Sequence, residues 1–454
     1  MKNRLVALCC VLALAASACG SKASQDDLAK NSDSGGATTT TAAGGSGGDD
    51  AFGTLENPCS DGPATPAPDG TVGVTDDEIK VATITDKAGQ VKIPTASIEQ
   101  STQAFIDWCN SYGGIKGRKL KMVPIDSKLF SHLEATKEAC NAGVFAIVGS
   151  GSVTDNTGAQ AMVDCGLIEV PAYTATVTKA MSDNLVQPVP NPGQYLNGAS
   201  PKYTAEQHPK AIKKAAILSS NIETATVQAD RIIDAYEQLG FDFVYDKHTG
   251  VVQESYAAEA REMKNKGVEY VTMVSAVSET NKLLRDMKTQ GFEPEVIDLG
   301  AQYYDPELLT NPASEGAQVQ VNTVPFEEAD EAPALQQYLD AYAKVDTDIK
   351  PTSLGVQAFS AGLLFATAAN AVDELTRDNV LAELKDIHSW DGGGLHYEAD
   401  PGANTVGTCI ILLEVKDGEF VRKFPDDAPE FSCNPDNAVK LEGDYGDGAK
   451  LKDS

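Results

Sequence analysis

From residue 78 onward, short apolar runs rich in β-branched residues alternate with longer amphipathic stretches, and this alternation constrains the fold more than any other feature of the chain. EIKVATIT (78–85) reads as a strand. After Pro94, the residues Ile98, Thr102, Phe105, Ile106, Cys109 and Tyr112 recur at helical spacing, and Gly113-Gly114 ends the helix. KLKMVPID (119–126) is the next strand, followed by a helix near 132–142, the strand VFAIVGS (144–150), a helix around 155–165 and the strand GLIEVPAY (166–173). Repeated strand, helix, strand units imply a parallel sheet covered by helices on both faces, an α/β architecture.

The Pro-rich passage QPVPNPG (187–193) interrupts the pattern, and the same grammar then restarts. AAILSS (215–220), FDFVYDKH (241–248), VEYVTMVS (268–275) and PEVIDLG (294–300) read as strands of a second α/β lobe. Residues 330–386 are mostly helical in pattern, and TCIILLEVKDGEFV (408–421) reads as a hairpin turning at Lys416-Asp417-Gly418. Sandwich and all-helical folds fit this order poorly.

Charge excludes some functions. The 454 residues carry 36 Lys and Arg against 66 Asp and Glu, a formal charge of −30, so a phosphate backbone would be repelled and no nucleic-acid partner is expected. With 42% hydrophobic and 22% charged residues the chain has ordinary globular composition. Acid pairs such as Asp76-Asp77 and Glu327-Glu328 read as solvated surface.

Residues 1–18 have the form of a secretion signal: Lys2 and Arg4, the apolar run Leu5 to Ala16, and small residues before Cys19. The pattern around Cys19 resembles a bacterial lipobox, in which the cysteine is lipidated after cleavage. An ordinary signal cleaved nearby is the alternative. Removal of 1–18 leaves a charge of −32. From Gly20 to about Pro68 the chain is rich in Gly, Ser, Thr, Asp, Ala and Pro, as in TTTTAAGGSGGDD (38–50), and is expected to be a flexible spacer. Cys59, Cys109, Cys140, Cys165, Cys409 and Cys433 follow, an even number that favours three disulfides in an exported protein, with 15 connectivities open. No CxxC pair or HExxH helix occurs and the five histidines are scattered, so neither a metal nor another cofactor is expected.

DEIKVATIT, SYGGIKGRKLKMVPIDS (111–127), VFAIVGSGS (144–152), AILSS, LLRDMKTQGFEPEVIDLG (283–300), PTSLGVQAFSAGLLFATAANAV (351–372) and WDGGGLHYEADPGANTVGTCIILLEVKDGEFV (390–421) together resemble the type I periplasmic solute-binding proteins, the group of the leucine/isoleucine/valine-binding protein. The resemblance spans about 76–425. It implies two lobes, each a parallel sheet flanked by helices, joined by three hinge crossings placed near 190, 327 and 404. The expected divisions are a signal peptide (1–18), a lipid-anchored flexible linker (19–75), an N-terminal lobe (76–190 with 328–403), a C-terminal lobe (191–327 with 404–435) and a tail (436–454). In this topology Cys140 and Cys165 fall at the ends of neighbouring crossover helices, within reach of a bridge. The others are assigned as Cys59 with Cys109 and Cys409 with Cys433, pairings the resemblance does not itself support.

Ligands of open α/β sheets bind beyond the carboxyl ends of the strands. Ser150, Ser152 and Thr154 join a strand to a helix, where unpaired N–H groups and hydroxyls suit a carboxylate. The alternative is that Ser152 or Thr154 only caps the helix. The resemblance favours ligand contact there and extends it to Thr174 and Thr176. Gly89, in the loop from Asp86 to Val91, would let backbone approach the cleft mouth. In the second lobe the resemblance points to Glu223, Thr224 and Ala225, and to Gln302, Tyr303 and Tyr304 beyond Gly300; an amide and two phenols do not neutralise an ammonium. Tyr303 or Tyr304 is otherwise a loop aromatic. There is no GxSxG elbow, P-loop or strand-linked GxGxxG, so no enzyme is expected. The expected function is an extracytoplasmic, membrane-anchored lipoprotein that captures a small polar, carboxylate-bearing solute, such as an amino acid or amide, for the permease and ATPase of an ABC importer. The rival readings are a ligand-sensing receptor subunit and, third, an enzyme on this fold.

Overall fold

The computed structural model describes residues 50–59, 66–67, 70–89 and 95–451. The signal segment, Cys19, most of the spacer and residues 90–94, with the end of the loop expected at the cleft mouth, lie outside the described residues. The first lobe is built from β1 (Glu78–Thr85), α1 (Ala96–Ser111), β2 (Lys119–Asp126), α2 (His132–Asn141), β3 (Ala146–Val148), α3 (Asn156–Asp164), β4 (Ile168–Val170) and α4 (Val177–Ala180). Its sheet runs β2-β1-β3-β4, all parallel. Pro124 sits in β2 opposite Thr83, which is tolerated because β2 is an edge strand. The predicted face of α1 is the buried one, with Ile98, Thr102, Phe105, Ile106 and Cys109 inside. Gly114 then turns the chain at φ 86°, where a Cβ would lie 1.9 Å from the Arg118 carbonyl oxygen.

The second lobe contains β5 (Tyr195–Asn197), α5 (Ala199–Gln207), β6 (Ala215–Ser220), α6 (Glu223–Gln238), β7 (Phe243–Thr249), α7 (Ala257–Lys266), β8 (Tyr270–Val274), α8 (Val277–Thr289), β9 (Val296–Leu299), α9 (Pro306–Leu309) and β10 (Gln318–Val321). The chain then returns to the first lobe as α10 (Pro333–Tyr342), α11 (Ser353–Ala371) and α12 (Arg377–Lys385), whose apolar faces share one core with α1 and β1. It crosses back for β11 (Cys409–Lys416) and β12 (Glu419–Phe424), a hairpin closed by Asp417 and Gly418 at φ 55° and 80°. The second sheet runs β7-β6-β8-β9-β10-β11-β12; it is parallel as far as β10 and antiparallel from β11. β13 (Ser432–Cys433) pairs with β11, and β14 (Ala438–Lys440) with β5. α11 is apolar and long enough to cross a membrane, yet 78% of its apolar window is buried inside the protein, so packing accounts for its composition.

The six cysteines form Cys59–Cys109, Cys140–Cys165 and Cys409–Cys433, with Cα separations of 5.2, 6.1 and 4.0 Å. The first bond bears on a correction. Residues 51–59, expected within a flexible spacer, are packed: Phe52 is fully buried against Phe359 and Trp108, at centroid distances of 5.1 and 5.3 Å. Gln337 accepts from Gly53 N–H (2.6 Å) and donates to the Ala51 carbonyl (3.0 Å). One buried phenylalanine contributes about 1.5–3 kcal/mol, enough to anchor a stretch whose average composition is that of a linker. A second correction concerns Glu327-Glu328. Tyr304 donates to Glu327 (2.6 Å), and Glu328 pairs with Arg422 (2.6 Å from Nε) over side chains only 10% exposed.

The C-terminal stretch is more than a tail. After β14, Glu442 and Gly443 donate their N–H groups to Asp234 of α6 at 2.9 and 2.8 Å. The chain then reaches the first lobe, where Ala449 packs on Ala159 and Val163 of α3 and exchanges backbone hydrogen bonds with Thr178 and Asp183.

Candidate functional site

A cavity of about 420 Å³ lies between the lobes. Its second-lobe wall is formed at the carboxyl ends of parallel strands, at Ser220 after β6, Val274 and Ser275 after β8, and Leu299 and Gly300 after β9. Its first-lobe wall includes Leu129, Val153, Tyr173, Thr174 and Ala175, with Leu354 and Gln357 of α11. All three crossings also contribute: Gln187 and Pro190 in the first, Asn322 in the second, Val406 and Gly407 in the third. A space bounded in this way changes shape when the lobes move.

Of the residues singled out from the sequence, Thr174, Thr224, Ala225 and Gln302 line the cavity; Ser150, Ser152, Thr154, Thr176, Gly89, Glu223, Tyr303 and Tyr304 do not. The reason in the first lobe is two buried carboxylates. Asp86 accepts from Ser127 Oγ (2.6 Å), Leu129 N–H (3.0 Å), Ser152 Oγ (3.2 Å) and Val153 N–H (2.8 Å). Asp155 accepts from Ala175 N–H (2.7 Å) and Thr176 Oγ1 (2.5 Å). Thr176 also caps α4, and Thr154 donates to the Leu129 carbonyl (2.8 Å). Ser152 and Thr176, expected to hold a solute carboxylate, thus hold the chain's own, and Thr154 holds a backbone carbonyl. Gly89 lies against Leu129, whose side chain a Cβ would meet at 2.9 Å. Asp86 also stabilises a costly backbone, since Lys128 and Leu129 have φ of 50° and 68°.

Ser150 is deeper still. Its hydroxyl donates to Glu169, which pairs with Lys179, and Lys179 also contacts Met162 Sδ at 3.3 Å. All three polar side chains are buried. Nearby charge and burial alter their neighbours: burial, then Lys179, lowers the His132 imidazole to about 3, and neither ring nitrogen has a hydrogen-bond partner. Burial raises Asp155 to about 7 against the opposing hydrogen bonds from Thr176 and Ala175 and the charge of Lys179.

In the second lobe, Glu223 begins α6 and accepts from Asn156 Nδ2 across the cleft at 3.3 Å. Thr224, beside it, lines the cavity and donates to the Val153 carbonyl. Tyr303 is fully buried and its hydroxyl ties β8 to α8, donating to the Met273 carbonyl (2.9 Å) and accepting from Thr280 Oγ1 (3.1 Å) and Ser275 N–H (3.0 Å). Tyr304 is buried against Phe326 and Phe420. The polar lining comes largely from residues with no motif signature: Gln228, Gln320, Asn322, Gln357 and Asp298. Asp298 accepts from Tyr270 Oη (2.9 Å), and burial raises its carboxyl to about 6. Period-two alternation within a recognised β10 would have pointed Gln318 and Gln320 to one face, but this strand is not evident in the sequence.

Among the described residues no cluster of three His, Cys, Asp or Glu side chains is arranged to hold a metal ion. The arrangement offers enclosure, shape and amide hydrogen bonds, the attributes of a binding site.

Comparison with known proteins agrees in fold. The periplasmic binding protein family model matches residues 78–419. A Leu/Ile/Val-binding protein of Citrobacter freundii is 23% identical over 333 residues, covering 70% of this chain and 88% of the relative. The leucine-binding protein LivK of Thermotoga maritima superposes with a TM-score of 0.65 at 15% identity, covering 79% of this chain and 99% of that one. A fatty acid ABC transporter substrate-binding protein from Thermomonospora curvata gives a TM-score of 0.65 at 20% identity, covering 79% and 95%. With a two-lobed α/β body, a cavity bounded by three crossings and a family match over most of its length, the chain belongs to the periplasmic binding protein family.

Proposed function

We propose that this protein captures a small solute outside the cytoplasm and presents it, in a closed form, to the permease and ATPase of an ABC importer. The observation that carries the reading is the cavity of about 420 Å³ enclosed by both lobes and by every crossing between them. The relatives named above as leucine-binding and fatty acid transport proteins support it. The moving bodies are 76–190 with 328–403 and 191–327 with 404–435, and solute binding shifts their equilibrium toward closure. A lipid on Cys19 tethers the body to the membrane through the residues that precede the packed segment at Phe52. A solute carboxylate on the Ser152–Thr154 loop would have to displace Asp86, so it is not carried into this proposal.

The test is native mass spectrometry of the purified chain, with extraction of whatever co-purifies, and thermal shifts against a broad solute panel. A solute at 100 times its dissociation constant adds about 2.7 kcal/mol of stability. A protein that carries no solute and responds to none would defeat the reading. For the tether, Cys19→Ala is expected to move the protein from the membrane fraction to the soluble one; retention in the membrane would remove the lipid from the proposal.

A further inference from the structure

The cavity wall restricts the solute's charge, an inference that rests on the solute-binding reading above. No Lys, Arg, Glu or His is among the described residues lining it, and Asp298 is the one carboxylate. Arg231 lies behind the wall, next to Gln228 and Asn191, and is not among the lining residues; its two terminal nitrogens donate to the carbonyls of Pro192 (2.8 Å) and Tyr195 (3.0 Å) and to Gln228 Oε1 (3.0 Å), while its buried Nε has no hydrogen-bond partner among the described residues. On the first-lobe side the N–H groups of Val153 and Ala175 are already taken by Asp86 and Asp155. An anionic solute would lose its hydration, meet no cation at the wall and face Asp298. A cationic one would also lose its hydration, and the one carboxylate near it, Asp298, is 3% exposed and already accepts from Tyr270 and Ser200, so its attraction offsets that loss only in part.

Hydrocarbon dominates the remaining surface, with Leu129, Val153, Ile222, Met273, Val321 and Ile410 around the space. Into it β10 presents Gln320, whose amide makes no hydrogen bond among the described residues and so has both a donor and an acceptor to offer. We propose that the cavity takes an uncharged, predominantly hydrocarbon solute bearing a hydroxyl, carbonyl or amide group that hydrogen-bonds to Gln320. Such a solute replaces water against an apolar wall and leaves no ion unpaired.

The experiment is calorimetric titration of the mature chain, freed of co-purifying solute, with probes matched in shape and differing in charge. Decanamide, decanoate and decylammonium form an extended set; adamantanecarboxamide and adamantanecarboxylate a compact one; leucine completes the panel. At about pH 8, where free carboxylates and alkylammonium groups are charged, the neutral member of at least one set is expected to bind more than about tenfold tighter than its charged partners. Charged partners binding as tightly, or leucine binding where the neutral probes do not, would overturn the inference while leaving solute binding intact. Silence of every probe, in a protein that also co-purifies with nothing, counts against solute binding itself and takes the inference with it. Two variants locate the effect. Gln320→Leu is expected to weaken the best neutral probe by about three- to tenfold at unchanged unliganded melting temperature, and equal affinity would remove Gln320 from the site. Asp298→Asn is expected to narrow the gap between carboxamide and carboxylate, and an unmoved gap would show that Asp298 does not set charge preference.

Discussion

Thr224 Oγ1 at the start of α6 donates to the carbonyl of Val153 at 2.5 Å, joining the lobes beside the cavity that both residues line. Asn156 and Glu223 make a longer contact on the same side, at 3.3 Å. Both would be lost if the lobes parted, so under the proposed opening and closing they favour the arrangement in which they form without touching either lobe's core. Thr224→Val keeps shape and removes the donor. A neutral hydrogen bond contributes about 0.5–1.5 kcal/mol, and solute affinity should fall by that amount, chiefly as faster dissociation. Stopped-flow kinetics check this; a slower association with unchanged dissociation would place the hydrogen bond outside the closing step.

Asp86 should matter more to folding than to solute contact. Its carboxylate gathers donors from Ser127, Leu129, Ser152 and Val153, and it holds Leu129 at φ 68°. Asp86→Ala leaves those groups buried and unpaired, each costing about 1–3 kcal/mol where water cannot reach it. Partial relaxation brings the expected loss to about 3–5 kcal/mol, measured by urea unfolding. A loss below about 1 kcal/mol would mean that the loop rearranges freely.

The sequence made these two residues unequal in visibility. β1, β2 and β6 begin and end where their apolar runs do, and the buried face of α1 follows its spacing, because in each case the apolar pattern lies within one element. Asp86 shows no such pattern: it is an acid after a strand, and only the approach of loops 127–129 and 152–153 makes it a buried acceptor. The same holds for Glu169 and Lys179, which lie on separate elements and meet inside the lobe. Thr174 and Gln302 could be found because the family resemblance points to their loops, which follow strand ends, where cavities in this architecture open. Gln320 and Val406 could not: Gln320 stands near the carboxyl end of β10, a strand not evident in the sequence, and Val406 lines the cavity from the third crossing, where no strand-end rule applies. Phe52 escaped because one aromatic residue barely alters the composition of a Gly- and Ser-rich window.

Asp155 gives the fold a pH dependence of definite sign. Burial raises its carboxyl from 3.8 to about 7, so between those values the folded chain holds a proton that the unfolded chain has released. Stability therefore falls as pH rises through that window, by at most about 1.4 kcal/mol per pH unit for this one proton, and levels off above it. Asp298, raised to about 6, acts in the same direction; His132, lowered from 6.5 to about 3, acts oppositely, losing stability as pH falls. Asp155→Asn removes the first contribution alone. Its stability relative to the parent should rise from about pH 4 to 7, followed as the difference in urea midpoints. A difference that stays constant with pH would make Asp155 an ordinary carboxylate.

The C-terminal strap adds a fourth link between the lobes, and it should act on rates more than on stability. Tyr445, Glu442 and Gly443 hold it to Asp234 in the second lobe, while Ala449 and Lys450 meet Thr178, Asp183 and Gln160 in the first. Opening the cleft must stretch this segment or release its first-lobe end. Those contacts are mostly exposed hydrogen bonds, and Ala449 buries one small side chain on Ala159 and Val163, so the first-lobe attachment is weak. Deleting 446–454 leaves Leu441 and Tyr445 in place and should cost no more than about 1 kcal/mol of unfolding free energy. Without solute, the truncated protein should sample wider openings, seen as a larger radius of gyration by small-angle scattering and a several-fold faster solute association. Identical scattering and association rates in the full and truncated chains would show that the strap rides with the first lobe and does not resist opening.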